Sequence, residues 1–274
     1  LYWVDILGST LHHYDPATET NMTHDIGAHV GCVILTTDPD IVLLAIQSQV
    51  ARFHLPTQTL TTVASLPIEA DTTPRKRFND GAVSPAGTFY VGNMAYDVTP
   101  KAGTLYRYNE EQHFKAVKQG LTITNGIAWT ADHTTLYHVD SEPGIIWAYD
   151  YDISADTLNN ARIVVDVPEA MGKPDGIALD VDGNLWVAHW GYSKVVCWSM
   201  ATGHVLSEIN VPADNVTSCA FGGDDMKTLY ITTAREGVSD DRLQMTPHAG
   251  SLFSVVMPIA GLPAHRFQLN TDGD

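Results

Sequence analysis

Four polar residues, far apart in the chain, each begin an apolar run. The runs are Asp80-Gly-Ala-Val, Asn125-Gly-Ile-Ala-Trp, Asp175-Gly-Ile-Ala-Leu and Ser218-Cys-Ala-Phe. Carboxylate and carboxamide oxygens are the ligands that hard cations such as Ca²⁺ and Mg²⁺ prefer in proteins. If the fold brings these positions together, they predict an oxygen-rich cation site, in which Asn125 and Asp175 are the best pair.

Asn-Gly and Asp-Gly are also common turn dipeptides, because glycine and its polar neighbour adopt the backbone angles of tight hairpins. Asp182-Gly183 fits that role, since it separates two apolar runs of one predicted hairpin. Asn125 and Asp175 instead begin strands at the same phase of a longer repeat. We therefore predict a turn at Asp182 and functional positions at Asn125 and Asp175.

An aromatic segment recurs along the chain and indicates the strands on which these residues lie. Its landmarks Tyr2, Leu43, Tyr90, Tyr137, Trp186 and Tyr230 are 41, 47, 47, 49 and 44 residues apart. A second segment ending in a bulky residue follows each copy, and turn residues separate the segments. Six copies of about 45 residues, each a set of short strands, predict an all-β fold, a six-bladed β-propeller with four-stranded blades.

In a propeller the innermost strand of each blade lines a central channel. Equivalent positions of successive blades then face one axis, so Asp80, Asn125, Asp175 and Ser218 are expected to converge at one mouth of the channel. Buried polar side chains there need partners, and a metal ion supplies them. We predict a single propeller domain spanning residues 1–274.

Composition and charge narrow the class of partner. The 274 residues carry a formal net charge of −17, and 44% of them are hydrophobic. Such an acidic chain argues against nucleic acid, whose phosphates must be neutralised by cations, and against an anionic membrane surface. We also expect a small-molecule partner and a monomer or weak dimer, neither of which the charge itself establishes.

Three cysteines, Cys32, Cys197 and Cys219, are too few and too widely spaced for a disulfide framework or a zinc motif. They are expected to be buried, reduced thiols. No segment looks like a signal peptide, and no apolar run approaches the length of a membrane span. The sequence thus predicts a cytoplasmic protein.

Several segments resemble, in order, the signature of the SMP-30/gluconolactonase/regucalcin family. They are Leu1-Tyr-Trp-Val-Asp-Ile, Arg77-Phe-Asn-Asp-Gly-Ala-Val-Ser-Pro-Ala-Gly, Val91-Gly-Asn-Met, Thr124-Asn-Gly-Ile-Ala-Trp, Pro174-Asp-Gly-Ile-Ala-Leu, Thr217-Ser-Cys-Ala-Phe-Gly-Gly and Leu229-Tyr-Ile-Thr-Thr-Ala-Arg. Any one dipeptide is weak evidence, whereas the ordered set spans almost the whole chain. The resemblance implies a six-bladed propeller that hydrolyses sugar lactones with one divalent metal ion, usually Ca²⁺ or Zn²⁺, with Mn²⁺ and Mg²⁺ as further candidates.

The resemblance also assigns residues. It places the family's metal-binding Asn and Asp on Asn125 and Asp175, and its substrate-binding Arg and Asn on Arg77 and Asn79. A further acidic substrate-binding residue falls near Asp97, where the loop length varies. Asn93 stands where the family's G-T-M signature has Thr, so local substrate contacts are expected to differ there.

One expected part of the family's site is missing from this sequence. The metal-binding Glu of the family belongs to an E-G-P segment roughly ten residues before the first aromatic strand, which here begins at Leu1. The repeat makes the same point, because each later blade has a polar strand start ten or eleven residues before its aromatic strand. We therefore expect the first blade to lack its inner strand in this sequence.

These residues predict metal-dependent lactone hydrolysis as the leading function. The metal ion would act as a Lewis acid on the lactone carbonyl, and Asp175 would serve as ligand and general base. Arg77 and Asn79 would hydrogen-bond the sugar hydroxyls. Two alternatives stay open: a propeller hydrolase of phosphotriesters or phosphofluoridates, and a non-catalytic calcium-binding or ligand-binding propeller.

Two further features are candidates for the wall of the pocket. His189 lies at the end of a predicted strand, while most of the other histidines are expected on the surface or within strands. The long connection from Met94 to Gly103 is a candidate pocket wall or lid.

Overall fold

The computed structural model describes residues 1–66, 74–111 and 113–269. Within these ranges the chain is all-β, with strands β1 to β22, a six-residue helix α1 (Asp240–Met245) and a 3-10 helix (Glu169–Met171). No helix in the described ranges is long and apolar enough to span a membrane. The chain divides into two compact units: Leu1–Thr124 with the segment from Ala264 onward, and Asn125–Pro263.

The first unit contains three antiparallel sheets in which strands adjacent in sequence are paired. One three-stranded sheet consists of β1 (Tyr2–Asp5), β2 (Thr10–Asp15) and β3 (Thr20–Asp25). A four-stranded sheet follows with β4 (Val30–Leu35), β5 (Ile41–Ile46), β6 (Gln49–His54) and β7 (Thr59–Ser65). Another has β8 (Lys76–Val83), β9 (Phe89–Ala95), β10 (Gly103–Asn109) and β11 (His113–Leu121).

The second unit continues the same plan. One four-stranded group consists of β12 (Thr124–Trp129), β13 (Thr135–Asp140), β14 (Ile145–Asp152) and β15 (Thr157–Asp166). The next consists of β16 (Lys173–Leu179), β17 (Leu185–Trp190), β18 (Lys194–Trp198) and β19 (Val205–Asn210). A last group has β20 (Asn215–Gly222), β21 (Thr228–Ala234) and β22 (Phe253–Val256), and a single pair, Trp190 with Asn215, joins it to β17.

The core lies between consecutive sheets of each unit. In the first unit Leu43, Phe78 and Phe89 are fully enclosed in one apolar layer, and Leu11 and Leu44 lie in another. Such a side chain, fully buried, contributes about 1.5–3 kcal/mol relative to its exposed state. The second strand of each four-stranded group is covered on both faces, which explains why β5 and β9 read as continuous apolar runs.

The repeat predicted from the sequence matches these sheets. Five of the six landmarks lie in the second strand of their group: Leu43 in β5, Tyr90 in β9, Tyr137 in β13, Trp186 in β17 and Tyr230 in β21. Tyr2 lies in β1, and its sheet has three strands, as expected. Blade-like four-stranded sheets are therefore confirmed, while the closed ring of six blades and the single domain 1–274 stay predictions.

The last sheet differs from the four-stranded expectation. After β22 the described chain forms no further strand and makes only isolated bridges, one of them between Asp180 and Gly261. Pro258 and Pro263 fall in this stretch. Proline lacks the backbone N–H that a strand ladder requires, which accounts for the irregular path.

Candidate active site

Several of the polar residues singled out in the sequence lie at irregularities in the first strands of the sheets. Strand pairing shifts register between Val30 and Cys32 in β4, between Phe78 and Gly81 in β8, between Pro174 and Ile177 in β16, and between Val216 and Ser218 in β20. Such bulges bend a strand and re-aim the side chains beside them, and they are frequent next to active sites. Asn79, Asp80 and Asp175 all lie inside these shifts, a feature that the sequence did not predict.

The glycines that follow Asn125 and Asp175 allow neighbouring strands to approach closely. A Cβ atom on Gly126 would lie 2.7 Å from the backbone oxygen of Asp175, and one on Gly176 would lie 2.2 Å from Oγ of Ser218. Neither glycine has the positive φ of a turn residue. The second unit therefore places the starts of β12, β16 and β20 side by side, which brings Asn125, Asp175 and Ser218 onto neighbouring strands.

Asn125 is a buried residue whose amide group has a fixed orientation. Its Nδ2 donates a hydrogen bond to Oγ of Ser141 at 2.8 Å. With the nitrogen directed to Ser141, the carboxamide oxygen lies on the opposite side of the group. Carboxamide oxygen is the atom type that a hard cation binds.

Asp175 lies in the bulge of β16 and acts electrostatically on its surroundings. Burial raises the pKa of the neighbouring Cys219 thiol to about 12, and the carboxylate of Asp175 adds to that shift. Cys32, Cys197 and Cys219 are all buried and form no disulfide, as predicted. Their pKa values are all raised, chiefly by burial, so these thiols are unreactive at neutral pH.

In the first unit, Arg77 and Asn79 form a hydrogen-bonded pair on β8. Nη1 of Arg77 donates to Oδ1 of Asn79 at 2.6 Å, and Nδ2 of Asn79 donates to the backbone oxygen of Thr124 at 2.8 Å. Thr124 directly precedes Asn125 in the chain. Asn79 therefore connects the Arg77 guanidinium to the backbone at Thr124, within the first unit.

An aromatic ring supports the two arginines of this region. The guanidinium carbons of Arg75 and Arg77 lie 5.0 and 5.8 Å from the centroid of Tyr96, within the range of a cation–π interaction. The hydroxyl of Tyr96 lies 3.1 Å from Nδ1 of His29. The local sequence does not predict this contact, because Tyr96 and His29 are 67 positions apart.

Two residues of the Met94–Gly103 region have local partners. The exposed Asp97 accepts hydrogen bonds from the backbone N and the Oγ1 of Thr99 through Oδ1, and these lower its pKa. Oδ1 of the buried Asn93 accepts a hydrogen bond from the backbone of Thr104 at 2.8 Å. Asn93 thus holds β9 against β10, and the role of Asp97 in substrate binding stays a prediction.

Asp80 lies in the first unit and has an unusual carboxyl group. The residue as a whole is half-buried, but burial around the carboxyl raises its pKa to about 6. The backbone N–H of Gly81 donates to Oδ1 at 2.7 Å, which opposes the shift. The predicted convergence of Asp80 with Asn125, Asp175 and Ser218 at one channel mouth stays a prediction.

His189 lies within strand β17, one of the two places expected for most of the histidines, and it is fully buried. Burial lowers its pKa to about 4, so the ring is uncharged at neutral pH. Its Nδ1 lies 2.8 Å from the backbone oxygen of Met171, just before β16. Nothing in the local sequence indicates this contact, since the two residues are 18 positions apart.

Blade-like antiparallel sheets with polar residues at bulges in their first strands define a propeller-like protein with an oxygen-rich candidate site. A sequence profile for the SMP-30/Gluconolactonase/LRE-like region matches residues 1–235. The chain belongs to this family, as its motifs predict.

Relatives match over nearly the whole chain. YvrE of Bacillus subtilis, whose name assigns it as a sugar lactone lactonase, is 33% identical over 261 residues, covering 95% of this chain and 88% of that protein. Regucalcin of Danio rerio is 33% identical over 270 residues, covering 97% and 90%. The crystal structure of regucalcin from Agrobacterium tumefaciens, described as a calcium-binding protein, has a TM-score of 0.91 and 26% identity, covering 98% and 89%. These homologues support a lactonase-like function.

Proposed function

We propose that this chain is a metal-dependent hydrolase that opens sugar lactones, with Asn125 and Asp175 as ligands of one divalent cation. The observation that carries the proposal is the close approach of β12 and β16. Because Gly126 lets the backbone oxygen of Asp175 come near, the two strand starts that bear oxygen ligands are adjacent. Family membership supports the lactone as the substrate class.

The donor chemistry of these residues fits a hard cation. A carboxamide oxygen held in one orientation by Ser141 and a carboxylate at a strand bulge are ligands that Ca²⁺ accepts readily, and that Mg²⁺ and Mn²⁺ also take. Among the described residues no three His, Cys, Asp or Glu side chains form a metal-binding group. The regucalcin relative described as calcium-binding supports Ca²⁺ as the first ion to test, with Zn²⁺ second.

The residues of the chain have separate tasks in the proposed reaction. A bound divalent cation would supply Lewis-acid polarisation of the lactone carbonyl. Arg77 donates hydrogen bonds to sugar hydroxyls and fixes the ring of the substrate, while Asn79 holds the guanidinium in place. Asp175 orients the attacking water and accepts its proton.

The bond changes are those of an ester hydrolysis. Water oxygen adds to the carbonyl carbon, the bond from that carbon to the ring oxygen breaks, and the ring oxygen becomes a hydroxyl by taking a proton. The product is a hydroxy acid, which releases one proton to the solvent at neutral pH. A carboxylate bound to a dication is a weaker base than an unbound one, so ligation is the main task of Asp175.

The test is proton release from gluconolactone and its five-carbon and galactose relatives. Protein treated with EDTA should be inactive. Addition of Ca²⁺, Zn²⁺, Mn²⁺ or Mg²⁺ should restore turnover, and the restored rates rank the four ions. Asn125→Ala should remove the restoration, whereas Asn160→Ala, at an exposed Asn that contacts Asp150, should retain it. Folded protein without turnover under any of these metals would overturn the proposal.

Calcium binding without catalysis is the second candidate, favoured by the description of the Agrobacterium regucalcin. The same samples distinguish it. Stoichiometric Ca²⁺ binding that Asn125→Ala weakens, with no hydrolysis of lactones, would establish the binding function. Hydrolysis of a phosphotriester in place of the lactones would favour the phosphoester alternative.

A further inference from the structure

His189 is held in one orientation by three contacts. Its Nδ1 lies 2.8 Å from the backbone oxygen of Met171, and a carbonyl only accepts, so the proton is on Nδ1. Nε2 is then an acceptor, and the indole N–H of Trp198 points to it at 3.4 Å. The two rings are stacked, with 13° between their planes. A fully buried ring with both nitrogens engaged has a structural or positioning task.

The contact with Met171 lies next to the Asp175 bulge. Met171 is the last residue of the 3-10 helix, and β16 begins two residues later at Lys173. The strand pairs with β17 through Lys173 opposite Trp190 and Pro174 opposite His189, and regular pairing resumes only at Ile177. His189 thus contacts the chain before the bulge through its side chain and lies opposite Pro174 in the ladder.

The segment before the bulge has local hydrogen bonds of its own, and Nζ of Lys173 donates to the backbone oxygen of Glu142. Pro174 has no N–H to donate to β17. Gly172 has φ +70°, and a Cβ there would lie 2.2 Å from the backbone oxygen of Trp190, so the chain must cross β17 at close range. Only two ladder pairs, Lys173 with Trp190 and Pro174 with His189, precede the register shift. A side-chain hydrogen bond at this place therefore matters more than in a regular ladder.

We propose that His189 is a positioning residue for Asp175: its Nδ1–H holds the carbonyl of Met171 and thereby fixes the bulge in which Asp175 lies. The expected effect of His189 on metal binding rests on the proposed function, whereas its role in fixing the bulge does not. Residues that orient metal ligands typically change metal affinity by 10- to 100-fold when they are replaced.

Three substitutions separate the hydrogen bond from the shape of the side chain. His189→Phe keeps an aromatic ring against Trp198 and loses both nitrogens. His189→Leu and His189→Asn have nearly the same branched shape, but only the Asn side chain donates from the position of Nδ1. A matched control is His24→Phe, because His24 is also buried, packs on Phe53, and its ring nitrogens have no hydrogen-bond partner among the described residues.

The first readout is amide hydrogen exchange of the segment from Met171 to Ile177, measured without added metal. His189→Phe and His189→Leu should raise its exchange rate by about 10-fold or more, and His189→Asn should stay within about threefold of the wild type. The control His24→Phe should leave this segment unchanged. Equal exchange in the wild type and the two donor-less variants would overturn the proposal, as would an equal rise in the Asn variant.

The second readout is Ca²⁺ affinity of EDTA-treated protein by calorimetry. The donor-less variants should bind Ca²⁺ about 10-fold more weakly, and the Asn variant should recover most of the affinity. If the wild type binds no Ca²⁺, the proposed function fails at its metal site, while the exchange result still decides whether His189 holds the bulge. If Ca²⁺ affinity is the same in all variants, the positioning of Asp175 by His189 is wrong.

Discussion

The two ends of the β16–β17 hairpin contain the same dipeptide and use it differently. At one end Asp175-Gly176 lies in a strand, where the glycine lets β20 approach. At the other end Asp182-Gly183 forms the turn, and Gly183 has φ +81° with nothing within 4 Å of a Cβ placed there. One glycine is needed for space and the other for backbone angle.

The residues that hold the two ends also differ in charge. The turn is organised by the buried Asp180, whose carboxylate accepts hydrogen bonds from the backbone of Asp182 and Asn184, from the Asn184 amide and from the Trp186 indole. The other end is held by the uncharged ring of His189. The same dipeptide thus acquires its role from the residues around it, and substitutions at either end of the hairpin test this.

The largest difference is expected for activity. Asp175→Ala should lower kcat/KM for gluconolactone by about 100-fold or more, because the proposed cation loses a carboxylate ligand and the stabilisation of the oxyanion weakens. Asp182→Ala, at the exposed turn, should change kcat/KM by less than about twofold. Initial rates of proton release from both variants, with folding checked by circular dichroism, give the answer. Similar rates in the two variants would contradict a functional difference between the two ends.

Acid should weaken the Asp175 end through His189. The pKa of His189 is lowered from 6.5 to about 4 in the folded protein, so the unfolded chain takes up a proton first as the pH falls. The stabilisation of the folded protein that depends on an uncharged His189 is fully present above pH 6.5. Lowering the pH to 4 removes about 3 kcal/mol of the free energy of unfolding.

Urea unfolding of the wild type and His189→Asn between pH 4 and 7 measures this loss. The variant keeps a donor but does not titrate, so its free energy of unfolding should depend less steeply on pH. Parallel curves for the two proteins would show that His189 does not carry the acid sensitivity.

Loss of the turn carboxylate should affect stability and leave the chemistry intact. Asp180→Ala leaves the buried indole N–H of Trp186 and two backbone N–H groups without their acceptor, which should lower the free energy of unfolding by about 2–3 kcal/mol. The kcat of the folded fraction should stay within about twofold of the wild type. A change below about 0.5 kcal/mol in urea unfolding would show that the network does not hold the turn.

The smallest contrast is between the two glycines. A methyl group on Gly176 would lie 2.8 Å from Cα of Ser218, so β20 must move, and Gly176→Ala should destabilise the protein by about 2 kcal/mol. Gly183→Ala meets no atoms but places Ala at positive φ, which costs about 1 kcal/mol. Thermal unfolding of the two variants ranks them. A larger destabilisation by Gly183→Ala than by Gly176→Ala would contradict the view that close packing at Gly176 is the stronger requirement.

Much of the fold could be predicted from the sequence because its signals are local. An aromatic, β-branched run followed by a turn dipeptide specifies a hairpin within about twenty residues, and its recurrence at Tyr90, Tyr137 and Trp186 identifies one sheet per repeat. The irregular path after β22 was not predicted, although Pro258 and Pro263 are signals against a strand there.

The candidate site was predictable only in part. Asn125 and Asp175 stand out because their place in the repeat is visible in the sequence, and the family motifs mark Arg77 and Asn79. The bulges and the hydrogen bond from Arg77 to Asn79 leave no such mark. Asp97 is the opposite case. The family motif marks this residue, but its observed hydrogen bonds are local ones with Thr99, which the motif does not predict.

The family, the all-β repeat and the residue types that can bind a cation or a sugar can all be read from the amino-acid sequence. These depend on side-chain chemistry and on neighbours a few positions away. The folded chain alone reveals that Gly176 accommodates Ser218, that Ser141 contacts Asn125 and that His189 contacts Met171. Such contacts join residues that are distant in the chain, so the packing of whole sheets selects them.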